Sequence, residues 1–127
     1  MKKQLLALAV TAFVATGAFA QSTDTLAKIK DRGAVNLGVR DSSGLAFTLG
    51  GGKYVGFHTE MAENIIKDLS KDLGKPLTIN YQVITSQNRV PLVQNGTIDF
   101  ECGSTTNNAA RQKDVDFAYT TYVEEVR

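Results

Sequence analysis

The chain has 127 residues, 43% of them hydrophobic and 21% charged, with a formal net charge of +1. That is ordinary globular composition for at most one domain. It excludes a disordered chain, and the near-neutral balance argues against nucleic acid or an acidic membrane surface as a partner.

The chain opens on a segment that does not read as part of the fold. Met1, Lys2 and Lys3 form a basic start, Leu5 to Ala15 an apolar run, and Ala18-Phe19-Ala20 a small-x-small cleavage site. The apolar run is short of the roughly 20 residues that span a bilayer. Residues 1–20 are therefore expected to be an export signal cut after Ala20, with no lipid-attachment cysteine following. Loss of Lys2 and Lys3 turns the net charge slightly acidic. Residues 21–127 are left as the mature chain.

Ser22 or Thr23 is expected to cap a short helix through Lys30, with Leu26 and Ile29 on one face and Gly33 as its stop. Ala34 to Val39 reads as the first core strand. It exits into Arg40-Asp41-Ser42-Ser43-Gly44, and the exit of a strand is where open α/β sheets place ligands. Arg40 is a candidate site residue on that ground; the alternative is a solvated arginine at a strand end. Ala46 to Leu49 and Tyr54-Val55 flank a glycine-rich hairpin turn, Gly50 to Lys53. It is no phosphate loop, since Ser or Thr does not follow the Gly-Lys pair.

A helix is predicted from Phe57 to Leu73, with Phe57, Met61, Ile65, Leu69 and Leu73 as an apolar stripe and Gly74 and Pro76 ending it. His58, the only histidine, is expected to be solvated on the first turn, with no metal-ligand spacing around it. Leu77 to Ile84 alternates and reads as the second core strand. Thr85 to Asn88 is a polar loop, Arg89 to Gln94 a short helix, and Ile98 to Cys102 a third strand. Gly103 to Asn108 is its exit loop, Ala109 to Lys113 opens another helix, and Val115 to Thr120 reads as a strand. This succession predicts an α/β fold, a mainly parallel sheet with helices on both faces.

In a parallel sheet the loops after the three core strands open at one edge. Arg40, Ser86, Arg89, Ser104, Thr106 and Arg111 can then converge on one small anion, helped by the first amides of the helices that follow. The alternative pairs the arginines with Asp41, Glu101 and Asp114 as structural ion pairs. Asp41 is the one carboxylate expected beside the arginines at a strand exit, and no catalytic constellation or cofactor motif is found.

The string Ser86-Gln-Asn-Arg-Val-Pro-Leu-Val-Gln-Asn-Gly-Thr-Ile-Asp-Phe-Glu-Cys-Gly-Ser-Thr-Thr-Asn-Asn108, followed by Arg111-Gln112-Lys113, closely resembles the periplasmic glutamate/aspartate-binding proteins of ABC importers. Gly56-Phe57-x-x-Glu60 is similar to the helix entry of extracellular solute-binding proteins of family 3. The resemblance implies a type II periplasmic-binding-protein lobe without enzymatic activity or cofactor. It implies that Arg111 and Thr106 hold an α-carboxylate, that Ser104 helps hold an ammonium, and that Arg40, Ser86 and Arg89 hold a side-chain carboxylate. The implied partners are L-glutamate or L-aspartate and a membrane permease that recognises the closed form of a monomeric protein. In the family the position of Cys102 forms a disulfide with a downstream cysteine; here Cys102 is the only cysteine. That, the final strand-like residues and the family's greater length lead us to expect the N-terminal lobe of a longer protein. A ligand-sensing receptor domain and a periplasmic enzyme are the rival classes on this fold.

Overall fold

The computed structural model describes residues 24–41, 43–123 and 125. The export-signal reading falls outside those residues. The first helix, α1, runs from Thr25 to Arg32. Its cap is Asp24, whose Oδ1 accepts from the Leu26 amide at 2.9 Å, rather than Ser22 or Thr23. The carboxylate does what a hydroxyl was expected to do, one or two residues later, and the helix runs correspondingly further before Gly33 ends it.

The centre of the fold is β1 (Ala34–Val39). It pairs in parallel with β4 (Thr78–Val83) on one side and β5 (Phe100–Glu101) on the other, in the order β4-β1-β5. Val39 stands opposite Val83 and Gly38 opposite Glu101, so all three strands leave at the same edge. A central parallel strand is covered on both faces, which is why β1 reads as a nearly continuous buried run. Alternation sends Val35, Leu37 and Val39 to one face. There they pack with Ile29 of α1 and with Ala62 and Ile66 of α2 (Phe57–Asp72). On the other face Gly38 leaves room for Ile84 and Ile98. A Cβ added at Gly38 would stand 2.7 Å from Ile98 Cδ1 and 2.9 Å from Glu101 Cβ. A six-residue helix, α3 (Arg89–Gln94), packs against β5.

The glycine-rich turn joins β2 (Phe47–Gly50) to β3 (Lys53–Val55) as a separate antiparallel hairpin, as expected. Gly56 then enters α2 at φ 118°, where a Cβ would meet the Leu45 carbonyl oxygen at 2.6 Å. Only glycine fits that entry.

Several expectations are corrected. The buried face of α2 is His58, Thr59, Ala62 and Ile66, while Phe57 and Ile65 are about half exposed. A strict four-residue step overshoots the helical turn by about 40° each time. Phe57 and Leu73 therefore cannot share a face, and only the later Leu69 and Leu73 reach the core. His58 is 2% exposed instead of solvated, with Nε2 3.2 Å from Thr121 Oγ1. The third strand shrinks to two residues. Beyond it, Arg111–Lys113 makes a single 3-10 turn where a helix was expected. Val115 to Thr120 forms no strand: its residues find no ladder partner among the described residues, and Tyr119 is almost fully exposed.

Candidate functional site

The three exit loops bring their arginines together. Arg40 directly follows β1, Arg89 opens α3 after the β4 exit loop, and Arg111 opens the 3-10 turn beyond the β5 exit loop. Ser86 lies between the first two: its Oγ accepts from Arg89 Nη2 at 2.8 Å and from Arg40 Nη1 at 3.4 Å. With both lone pairs taken by arginine N–H groups, the Ser86 hydroxyl hydrogen is left to point at an outside acceptor.

Arg89 is the most buried of the three, 4% exposed. Its Nε donates to the Thr85 carbonyl at 3.3 Å and its Nη1 to Thr105 Oγ1. Burial pulls its pKa below the ordinary arginine value; Glu101 works against that shift, and the charges of Arg40 and Arg111 add to it. Arg89 therefore feels both other cations across the loops. Arg111 Nη1 is held by the Thr106 carbonyl at 2.9 Å, and its own amide donates to Asn108 Oδ1 at 3.0 Å. Ser104 and Thr106 lie exposed in the same loop, flanking the half-buried Thr105.

No direct ion pair among the described residues consumes these cations. Among the described residues the ion pairs are Arg32 with Asp99 and Lys71 with Asp68. Glu101, not Asp41, is the acid that matters here, and it meets Arg89 only through the Thr105 hydroxyl. Buried Arg40 Nε and Glu101 Oε2 have no hydrogen-bond partner among the described residues. Clustered guanidinium groups without direct counter-ions attract an anion, and their planar forks suit carboxylates. With α3 short and the last element a single 3-10 turn, helix amides add little, and the cations carry the attraction.

Residues 35–127 match the family described as bacterial extracellular solute-binding proteins, family 3. The chain belongs to that family. A relative from Pseudomonas aeruginosa, an L-glutamate/L-aspartate-binding protein, is 48% identical over 76% of this chain and 33% of its own length. The glutamate/aspartate import solute-binding protein of Escherichia coli is 42% identical over 97% of this chain and 42% of its own. Among solved structures, a solute receptor for L-cysteine from Neisseria gonorrhoeae superposes with a TM-score of 0.66 at 32% identity, covering 76% of this chain and 38% of that one. The chain thus spans about a third to two-fifths of the length of the relatives it matches. These family-3 relatives are binding proteins, not enzymes. No helix among the described residues is long and apolar enough to cross a membrane.

One residue in this site escapes sequence reading, and a second is placed only as an ion-pair partner of the arginines. Thr105 sits between two residues of interest, and nothing in the string Ser104-Thr105-Thr106 tells which hydroxyl turns back toward α3. Glu101 is expected only as a direct ion-pair partner of the arginines; the structure instead links it to Arg89 through the Thr105 hydroxyl.

Proposed function

We propose that this chain is the N-terminal lobe of the substrate-binding component of an amino-acid ABC importer, carrying part of its ligand site, exported to the periplasm and cut after Ala20. Its ligand is L-glutamate or L-aspartate, and it delivers that ligand to a membrane permease as a monomer. The observation that carries the reading is the arginine cluster at the common strand edge, with Arg40 and Arg89 bridged by Ser86 and no direct counter-ion among the described residues. A neutral amino acid offers one carboxylate; an acidic one offers two, which suits three cations better. The names of the two glutamate/aspartate-binding relatives support the same choice. In this reading Arg111, Thr106 and Ser104 take the α-amino-acid end, and Arg40, Ser86 and Arg89 take the side-chain carboxylate.

Calorimetric titration with glutamate, aspartate and glutamine, on this chain extended by a homologous second lobe, tests it. Arg89→Ala should weaken glutamate binding by about 2–4 kcal/mol, the worth of a charge-assisted pair in a desolvated site. Glutamine should lose much less. Arg111→Ala should weaken all three ligands alike, because each presents an α-carboxylate. Equal losses for glutamate and glutamine at Arg89 would remove the side-chain assignment.

A further inference from the structure

We propose that Thr105 and Glu101 form a positioning relay that locks the plane of the Arg89 guanidinium and, resting on the function just proposed, sets the preference for an acidic over an amide side chain. The relay has one possible direction. A guanidinium only donates, so Thr105 Oγ1 accepts from Arg89 Nη1. The single hydroxyl hydrogen of Thr105 then goes to Glu101 Oε1. Together with Ser86 on Nη2 and the Thr85 carbonyl on Nε, this holds the guanidinium through all three of its nitrogens. Each Nη keeps one further hydrogen, and we assign those two to the ligand's carboxylate.

Two glycines seat Glu101. Gly38, its register partner on β1, leaves space beside Glu101 Cβ, and a Cβ on Gly103 would stand 2.6 Å from Glu101 Oε2. The carboxylate is thereby fixed in the sheet edge, not on a mobile loop, and the hydroxyl it anchors is fixed with it. A fork held from behind presents both free hydrogens in one plane without first losing rotational freedom. A side-chain carboxylate uses both of them; an amide offers a single weaker oxygen. Thr105 and Glu101 therefore act on the ligand through Arg89.

The test uses the full chain with Thr105→Val, which keeps shape and removes the hydroxyl, and Thr105→Ser, which restores it. Nitrogen-15 NMR of the ligand-free protein reads the Arg89 side chain, identified by the signals that Arg89→Lys removes. Separate Nη signals are expected in wild type and Thr105→Ser, and a merged, freely rotating set in Thr105→Val. Titration should then show glutamate affinity falling about tenfold in Thr105→Val with glutamine nearly unchanged, and recovery in Thr105→Ser. If Thr105→Val loses the dispersed spectrum of a folded protein, Thr105→Ala gives the same reading. Nη signals that stay separate without the hydroxyl, or Val and Ser variants that behave alike, overturn the relay. A wild type that binds neither glutamate nor aspartate overturns the proposed function instead, and the ligand-free spectra still decide the relay.

Discussion

At the residue scale, Cys102 shows how position sets reactivity. It follows β5 directly and packs against the core from the strand edge. Burial pushes its thiol pKa up to about 11, and the neighbouring Glu101 adds to that. The thiolate is the reactive species, so at pH 8 only a small fraction of the native protein can react. Labelling of native protein should be slow there, should quicken as pH approaches the raised pKa, and should be fast at pH 8 after denaturation. Fast and complete labelling of the native form at pH 8 would mean the thiol is not packed as described. The sequence places Cys102 at the end of the third strand, and it stands one residue past that strand's end. Its dependence on Glu101 is not legible there, because that needs the turn of the chain after β5. The same turn hides the Thr105 contact.

At the element scale, what was legible depended on whether neighbouring chain alone decides the outcome. The hairpin, the span of α3 and the end of α1 at Gly33 are local, and each stands where its residues put it. The facing of α2 is not local. Both Ile65 and Ile66 are apolar, and only packing against β1 chooses between them. Ile66→Ala should cost about 2–5 kcal/mol of stability, because it empties a filled place beside Leu37 and Val39. Ile65→Ala, at a half-exposed place, should stay within about 0.5 kcal/mol. Denaturant unfolding of the two variants checks the order. The short β5 likewise needs long-range help. Asp99, just ahead of it, accepts from the Asn36 amide at 2.7 Å and pairs with Arg32, while its own amide donates to the Asn36 carbonyl at 2.8 Å. Asp99→Ala leaves that amide of β1 without its acceptor and should cost about 1–3 kcal/mol in the same measurement.

At the scale of the whole molecule, the parallel order and the shared exit edge followed from strand and helix alternation, because right-handed parallel crossovers leave few topologies. The arginines' meeting at that edge followed from it. The behaviour of residues 115–123 did not, since a strand exists only with a partner. His58 ties this segment to the rest through Thr121. It lies on the buried side of α2, and burial lowers its pKa below the ordinary 6.5, with Glu101 opposing. Above pH 6.5 the folded and unfolded chains both hold it neutral, and it adds no pH dependence. As pH falls from 6.5 toward the lowered folded value, the unfolded chain takes a proton that the folded chain refuses. Stability must then fall, with a slope of at most about 1.4 kcal/mol per pH unit, and the loss is complete below the folded pKa. No other histidine exists in the chain to mask this window. Denaturant midpoints measured from pH 7.5 down to 5.5 should decline in the wild type and stay nearly level in His58→Gln. A wild-type profile as level as that of the variant would mean that the folded and unfolded chains protonate His58 alike, and that its burial carries no proton linkage.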